Sequence, residues 1–371
     1  MFISQFTASN LRALDLISLT PHQHLNIILG KNNDGKTSLL EGMFFSSSLK
    51  SFKSVVSSSL IQTGEKSTKL LLNVSKNREN VIISVEKKLK GANVVKINDI
   101  RSSAKDLLLS FPVLALNFGV ENIITGTSDT RRALLDWGSF HVEHSYLDLY
   151  KNFTKALKQR NSVLKRKETV DLDYWDKLYI QYGEEIHKKR SEYFKVLNDH
   201  FIQYKNKILE IIPNAYDDIK DSILSYDQGW DESMSLHESL YSLREKDLVL
   251  KHTSAGPHRC DIQFTSNGNI LKDVSSMSTQ VINGLLLVLS QAKAFHVKHC
   301  EKPIILIDDL FFGIDDKNLL LVINLLIDSK AQCFVTAPDL YKTKLEEFIS
   351  DNKEIRIYEF KGKDLKVVNS G

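Results

Sequence analysis

The sequence predicts an α/β fold in which a compact helical lobe is inserted into a lobe of strands and helices. Short apolar or alternating segments, typical of strands, occupy the N-terminal third and recur with a helix in the last third. Between them, from about residue 129 to 248, apolar side chains recur every three or four positions, as in amphipathic helices. We therefore predict two lobes, the first formed by residues 1–125 and 249–371 and the second by residues 126–248.

The elements of the first lobe follow from local patterns. Strands are predicted at residues 1–6, 15–20 and 25–29, a hairpin at 69–75 and 80–88, and a further strand at 94–97. In the last third the pattern predicts a strand at 303–307, a helix at 316–329 and a strand at 331–336. Strand and helix therefore alternate in the last third.

The composition is that of an ordinary globular protein. The 371 residues include 49 Lys and Arg against 46 Asp and Glu, and 42% are hydrophobic, which excludes disordered and collagen-like chains. The longest apolar runs are shorter than the roughly 20 residues of a membrane helix, and the first residues lack a secretory signal pattern. We expect a cytoplasmic protein without membrane contact. The cysteines and histidines lack the spacing of zinc or redox motifs.

A phosphate-binding pattern, GxxxxGK[ST], spans Gly30–Thr37. An apolar strand precedes it and a helical pattern follows, which is the required order. In such loops, backbone amides and the helix N-terminus bind phosphate oxygens. Lys36 is expected to reach the β- and γ-phosphates, and the Thr37 hydroxyl to bind magnesium. The predicted nucleotide-binding residues of the loop are Gly30, Lys31, Asn32, Asn33, Asp34, Gly35, Lys36, Thr37 and Ser38.

Two residues of this loop are unusual. Asn33 stands where many such loops have glycine, and asparagine tolerates a left-handed backbone better than most residues. Asp34 places a negative charge close to the expected triphosphate. We expect Asp34 to lower nucleotide affinity unless its side chain turns outward.

A second apolar strand, Ile304–Ile307, ends in the carboxylates of Asp308 and Asp309. Asp308 is expected to hold magnesium, and Asp309 to polarise the attacking water, so Lys36 and Asp309 are the predicted catalytic residues. The loop and the carboxylates lie far apart in the sequence, with room for a large insertion between them. That spacing predicts the head of a P-loop ATPase of the ABC/SMC type, two-lobed and without a long coiled coil.

Five further segments resemble those of one family. They are Asn10–Arg12, Leu49–Ser54, Thr130–Gly138, Leu157–Asn161 and Thr253–Arg259, the last containing Gly-Pro-His-Arg. These segments, in this order, resemble the RecF family, the SMC-like ATPases of bacterial recombinational repair. The resemblance covers the chain from end to end.

The resemblance implies a two-lobed ATPase that uses ATP and Mg²⁺ and forms an ATP-dependent homodimer. Its implied partners are double-stranded or gapped DNA, bound without sequence specificity, and RecO and RecR, with which it helps to load RecA. It also implies that Arg12 contacts the nucleotide and that Ser278 contacts the phosphate across the dimer.

The sequence departs from the family pattern at three places. Residues 275–281 read Ser-Ser-Met-Ser-Thr-Gln-Val, without the glycine of the family's Leu-Ser-x-Gly-Gln, and this predicts a hindered backbone approach to the partner's phosphate. Gly313 replaces a usual Glu, and Phe118–Gly119 replaces a usual Pro-Glu. These departures predict impaired hydrolysis and dimerisation more than a changed fold.

Basic residues predict a surface for DNA. Lys151–Lys167 contains seven Lys and Arg and no acidic residue, and DNA affinity depends mainly on neutralised phosphates. The predicted DNA-binding residues are Lys50, Lys53, Arg131, Arg132, Lys158 and Arg160. Since the sequence has no base-reading motif, contact would be through the DNA backbone. His258 and Arg259 either contact phosphate or anchor the turn at Gly256–Pro257.

Two other functions fit the sequence. A module that binds nucleotide and DNA with little or no turnover is consistent with the altered residues 275–281. An SMC-like ATPase coupled to a nuclease is less favoured, because no acidic cluster beyond Asp308 and Asp309 indicates a second metal site. Measuring turnover with and without duplex DNA separates the ATPase from the binding module.

Overall fold

The structure, a computed structural model, describes residues 1–51, 57–77, 79–116, 119–166, 171–211, 217–349 and 353–370. Its strands and helices are, in chain order, β1 (Phe2–Leu11), β2 (Leu14–Leu19), β3 (Leu25–Gly30), α1 (Lys36–Ser48), β4 (Ser67–Lys76), β5 (Glu79–Lys88), β6 (Val94–Ile97), β7 (Ile100–Arg101), α2 (Ala104–Ser110), β8 (Val113–Leu116), α3 (Asn122–Thr125), α4 (Ser128–Val142), α5 (Tyr146–Arg166), α6 (Leu172–Ile211), α7 (Asp217–Lys220), β9 (Ser222–Asp227), α8 (Leu236–Ser242), α9 (Arg244–Leu250), β10 (Asp261–Ser266), β11 (Asn269–Ile270), α10 (Leu271–Val274), α11 (Met277–His299), β12 (Ile304–Ile307), α12 (Asp316–Asp328), β13 (Cys333–Pro338), α13 (Lys342–Ile349), β14 (Ile355–Lys361) and β15 (Asp364–Ser370). They divide into two compact units, Met1–Glu121 with Phe295–Gly371, and Asn122–Ala294. Short 3-10 helices lie at Ser57–Leu60, Pro257–Arg259 and Asp339–Tyr341.

The first unit contains two sheets with α1 packed between them. One is antiparallel, in the order β2-β1-β4-β5-β6-β7, and the other has the order β15-β14-β3-β13-β12-β8 and is parallel except for β15. Phe6, Leu40 and Phe334 illustrate the shared core, to which both sheets and α1 contribute fully buried side chains. Gly42 of α1 allows this packing, since a Cβ there would lie 2.7 Å from Leu11 Cδ2. The predicted strands of this unit are confirmed.

The parallel strands bring the two predicted motifs to one edge of the sheet. β3 and β12 both pair with β13, in parallel, so their carboxyl ends point the same way. The phosphate loop follows β3, and Asp308 follows β12. Ligands of open α/β sheets commonly bind at this edge.

The second unit is mainly helical, as predicted. α6 has 40 residues and packs along α5, with its buried side chains on one stripe that includes Tyr179, Ile186 and Leu197. The periodicity did not predict β9, which lies within this stretch and pairs antiparallel with β10. Among the described residues, no helix has both the length and the apolar character needed to cross a lipid bilayer.

The unit boundaries differ from the predicted ones, by four residues at the first and by far more at the second. The first falls at Glu121 rather than at residue 125, and the second at Ala294 rather than at residue 248. Residues 249–294 therefore lie with the helical unit. The reason is that β10 forms a sheet with β9 and an ion pair with α4, in which Arg131 contacts Asp261 at 2.7 Å.

Candidate functional site

The phosphate-loop sequence forms a tight turn between β3 and α1. β3 is buried along its whole length and ends at Gly30, and α1 begins at Lys36. Gly35 has φ 111°, and a Cβ there would lie 2.8 Å from Leu14 Cδ2, so a larger residue would be strained. Asn33 also adopts the left-handed backbone expected of it, with φ 73°. The turn therefore leads directly into the amide-rich N-terminus of α1.

Lys36 is held against the loop backbone. Its ammonium donates hydrogen bonds to the carbonyl oxygens of Gly30, at 2.6 Å, and Lys31, at 2.9 Å. The residue is only 6% exposed. A cation at this position of a phosphate loop is suited to bind the β- and γ-phosphate oxygens of a nucleotide.

Asp34 closes the loop on itself. Its Oδ2 accepts a hydrogen bond from the Lys31 amide at 2.7 Å, and its own amide donates to the Lys31 carbonyl at 3.4 Å. The side chain therefore turns towards the loop backbone rather than outward. That Asp34 lowers nucleotide affinity stays a prediction.

Thr37 and Asp308 meet at the edge of the parallel sheet. Thr37 Oγ1 donates a hydrogen bond to Asp308 Oδ1 at 3.1 Å, although the two residues are 271 positions apart. Asp308 is only 3% exposed. The same oxygen accepts a 2.6 Å bond from Thr336 Oγ1, a contact that no sequence motif indicated. The two predicted motifs therefore form one site.

A cavity of about 590 Å³ opens beside this contact. It is lined by Arg12, Ala13, Lys31, Asn32, Asn33, Gly35, Lys36, Thr37, Ser38 and Asp309. Of these, sequence reasoning missed Ala13. Gly30 and Asp34 contribute instead through the loop backbone contacts described above. Eight of the ten predicted nucleotide-binding residues thus line this cavity.

Arg12 reaches this cavity from the turn after β1. It has φ 52°, and its guanidinium contacts the Glu41 carboxylate at 2.5 Å. Glu41 is fully buried on α1, next to the loop. This ion pair fixes the side chain of Arg12 at the cavity wall, and sequence reasoning did not identify Glu41.

Glu121 is a further acidic residue near Asp309 that the sequence did not reveal. Burial raises the pKa of its carboxyl group, and the negative charge of Asp309 raises it further. Gly119, two residues earlier, has φ 86°. Phe118, one of the predicted departures from the family, lies outside the described residues.

The donor set fits magnesium. Thr37 and Asp308 offer a hydroxyl and a carboxylate, which are the hard oxygen ligands that Mg²⁺ prefers, and they already lie within 3.1 Å of each other. In the described part of the chain there is no group of three or more His, Cys, Asp or Glu that could hold a metal ion. Magnesium bound here would therefore take its other ligands from phosphate and water, as it commonly does with nucleotides.

The altered segment 275–281 starts α11 with hydroxyl groups in place of glycine. Ser276 Oγ accepts a hydrogen bond from the Thr279 amide at 3.2 Å and so caps the helix. Ser278 follows, in the first turn, and is 8% exposed. Its contact with a nucleotide across a dimer stays a prediction. Gly313 has φ 74°, a backbone that the family's usual Glu would adopt only with strain.

Arg131 and Arg132 do not suit the predicted contact with DNA. Arg131 donates to both carboxylate oxygens of Asp261, at 2.7 and 2.9 Å, and is 9% exposed. Arg132 donates to the Cys260 carbonyl at 2.6 Å and pairs with Asp129. Both guanidinium groups hold the second unit together, and we withdraw them from the DNA-binding set.

Arg160 is also a structural residue rather than a DNA contact. Its side chain is fully buried and pairs with Asp176 at 2.6 Å and with Asp247 at 2.7 Å. The same guanidinium donates to Thr253 Oγ1 at 2.8 Å. A side chain without exposed surface cannot touch a DNA phosphate, so this prediction was wrong.

Several basic residues of the predicted segment Lys151–Lys167 are exposed on α5. Lys155, Lys158 and Lys165 are exposed and fall within an arc of about 80° at 100° per residue, so they form one row along the helix. We call these three residues the α5 lysine row. Lys50 is also exposed, whereas Lys53 and Lys167 lie outside the described residues.

His258 anchors the turn at Gly256–Pro257. Its Nε2 faces the Thr253 carbonyl at 3.0 Å, and its Nδ1 faces the Tyr179 hydroxyl at 2.9 Å. A carbonyl only accepts, so Nε2 carries the proton of the neutral ring. Burial lowers the pKa of His258 to about 4. Of the two alternatives, the structure favours the anchoring one for His258, while Arg259 is exposed.

This burial predicts a loss of stability in mild acid. The unfolded chain protonates His258 near pH 6.5 and the folded chain only near pH 4, so stability falls as pH drops through this window. Between pH 7.5 and 5 we expect His258 to account for about 2 kcal/mol of the lost unfolding free energy. Urea denaturation at both values should show a smaller loss for His258→Gln. The exposed His237→Gln is the control, and equal losses in all three proteins would contradict the assignment.

Comparison with known proteins agrees with the resemblance seen in the sequence. No protein-family model matches the chain. The DNA replication and repair protein RecF of Francisella tularensis subsp. tularensis is 29% identical over 357 residues, which cover 96% of this chain and 99% of that protein. The chain is similar to RecF over nearly its whole length. The resemblance predicted from the sequence is therefore confirmed.

Solved structures agree on the fold. The recombination mediator protein RecF-ATPrS of the RecFOR pathway superposes with a TM-score of 0.79 over 99% of this chain and 98% of its own, at 23% identity. An Smc head domain with an extended coiled coil, bound to the C-terminal domain of ScpA and derived from Pyrococcus furiosus, gives a TM-score of 0.56 at 14% identity, over 99% and 96% of the two chains. The predicted class, an ABC/SMC-type ATPase head with an inserted helical lobe, is confirmed.

Proposed function

We propose that this protein binds ATP with Mg²⁺ and couples the nucleotide to DNA binding in recombinational repair. The observation that carries the proposal is the 3.1 Å contact between Thr37 and Asp308, which joins the phosphate loop and the carboxylate-tipped strand beside one cavity. The names of its relatives, DNA replication and repair protein RecF, support the setting in DNA repair.

The residues at the cavity have different roles in nucleotide binding and hydrolysis. Lys36 and the loop amides bind and orient the triphosphate, and Thr37 and Asp308 hold magnesium, which neutralises phosphate charge when bound. Asp309 lines the cavity and is the group placed to polarise an attacking water. Arg12, which is held by its ion pair with Glu41, binds the nucleotide from the turn after β1.

DNA binding is proposed to use the α5 lysine row, and Lys50 is proposed as a separate contact on the first unit. Exposed lysines bind DNA phosphates without reading bases, because each neutralised phosphate releases counterions. The segment Lys151–Arg166, which contains the row, has no acidic residue. Such a surface suits duplex or gapped DNA of any sequence.

Replacing the α5 lysine row tests this interface. The triple variant Lys155→Gln, Lys158→Gln and Lys165→Gln should bind duplex DNA about tenfold more weakly. The slope of its log affinity plotted against log salt concentration should decrease in magnitude by up to about 2.7. The control removes the same charge from α6, where Lys177, Lys188 and Lys195 are exposed but lie among acidic residues. Fluorescence anisotropy measures both. Equal losses in the two triple variants would contradict a specific role for α5.

Dimerisation and partner binding are part of the proposal. We infer an ATP-dependent homodimer in which Ser278 contacts the nucleotide of the second copy, and RecO and RecR as partners in loading RecA. The support is the similarity to RecF, since one structural neighbour is a recombination mediator protein of the RecFOR pathway.

A second candidate function is a nucleotide- and DNA-binding module with little or no turnover. Two observations favour it: the hydroxyl-capped start of α11 in place of a glycine, and Gly313 in place of the usual Glu. ATP turnover with and without duplex DNA distinguishes the two. Turnover that rises with DNA supports the ATPase, and ATP binding without turnover supports the module.

A further inference from the structure

Thr336 connects the two carboxylate residues of the site. It lies on β13, between the strands that carry the phosphate loop and Asp308, and its side chain is fully buried. Its Oγ1 lies 2.6 Å from Asp308 Oδ1 and 2.8 Å from the Asp309 amide nitrogen. The hydroxyl thus bridges one side chain and the next residue's backbone.

The chemistry of these groups fixes the direction of both bonds. An amide N–H only donates, so the Asp309 amide gives its hydrogen bond to the Thr336 oxygen. A carboxylate only accepts, so the single hydroxyl proton of Thr336 goes to Asp308. Each group has the partner that it requires, and the arrangement has one orientation.

Both residues that Thr336 contacts need such support. Asp308 is nearly fully buried, and its Oδ1 takes hydrogen bonds from Thr336 on one side and Thr37 on the other. Asp309 has φ 51°, which lies in the left-handed backbone region. Residues other than glycine adopt this conformation only when their surroundings hold them there. Without the hydroxyl, the Asp308 carboxylate could rotate and the Asp309 turn would lose its hydrogen bond.

We propose that Thr336 is a positioning residue of the magnesium site. Its hydroxyl sets the rotamer of Asp308 and the backbone of Asp309, so that one carboxylate faces the metal position at Thr37 while the other faces the cavity. This inference rests on the proposed nucleotide function. Groups that orient metal ligands in this way typically change metal affinity 10- to 100-fold when removed.

Mg²⁺-dependent nucleotide binding tests the proposal. Binding of a fluorescent ATP analogue is titrated against Mg²⁺ in the wild type and in Thr336→Val, which has a similar shape but no hydroxyl. The Mg²⁺ concentration for half-maximal binding should rise at least about tenfold. Analogue affinity in excess EDTA should change less than about twofold, because Lys36 and the loop amides are untouched. Thr336→Ser keeps the hydroxyl and should restore the wild-type Mg²⁺ dependence.

Thr68→Val is the matched control. Thr68 lies in the same unit, is also fully buried, and donates to the Ser9 carbonyl at 2.8 Å. It should lower thermal stability without shifting the Mg²⁺ dependence. Where Thr336→Val does not fold, Thr336→Ala removes the same hydroxyl with less bulk and should give the same shift.

The outcomes separate the inference from the function on which it rests. A wild type that binds the analogue, with Thr336→Val or Thr336→Ala unchanged in Mg²⁺ dependence, would overturn the role of Thr336 alone. A shift of the same size in Thr68→Val would also overturn it. A wild type that binds no analogue at any Mg²⁺ concentration would overturn the proposed function and this inference together.

Discussion

Lys36→Met is expected to reduce ATP hydrolysis by about 10²- to 10³-fold, the usual cost of removing one strong electrostatic contact to the reacting group. The buried ammonium lies within 3 Å of two carbonyls of the loop, so the substitution removes a cation that the loop backbone holds at the expected phosphate position. Steady-state turnover measures the loss, and a fluorescent nucleotide measures the accompanying loss of affinity.

Lys69→Met is the matched control for this prediction. Lys69 is an exposed lysine on β4 of the same unit, far from the loop in sequence, so the change removes the same charge from the surface. It should leave turnover within about twofold of the wild type. If Lys36→Met retained turnover equal to that of Lys69→Met, the loop would not be the nucleotide site.

Arg160→Met is expected to lower the unfolding free energy by about 3–5 kcal/mol, because it leaves the fully buried carboxylate of Asp247 without its cation. Asp176 also loses its pair with Arg160, although Arg244 lies 3.8 Å from its other carboxylate oxygen. Urea denaturation followed by circular dichroism measures the change.

Lys158→Met provides the comparison for Arg160. It lies two positions away on the same helix but is exposed, so its stability should change by less than about 0.5 kcal/mol. Its effect should instead be on DNA affinity. Equal stabilities of the two variants would contradict the structural role of Arg160.

The sequence predicted the parts of the site that depend on residues within one short segment of the chain. A strand, a glycine-bounded loop and a helix in succession define Gly30–Thr37, and an apolar strand ending in carboxylates defines Asp308. Both patterns depend on neighbouring residues, so the sequence displays them directly. Their meeting followed from the rule that parallel strands share one carboxyl edge.

The parts that the sequence did not predict depend on contacts between distant segments. Arg160 looked like a surface residue because its own segment is basic, yet its partners Asp247 and Thr253 lie 87 and 93 positions away. The second unit boundary was misplaced for the same reason, since β9 and β10 pair across a long connection. Thr336 carries no motif, and its role follows from its bond to Asp308.

One diffraction experiment tests the central claim, that the loop and the carboxylate strand hold a single metal–nucleotide complex. Crystals grown with Mn²⁺ in place of Mg²⁺ and a slowly hydrolysed ATP analogue should show the anomalous manganese signal at about 2.1 Å from Thr37 Oγ1, with Asp308 bound directly or through one water. The analogue's phosphates should lie on Lys36. A manganese signal and nucleotide placed away from both Thr37 and Asp308 would contradict the account.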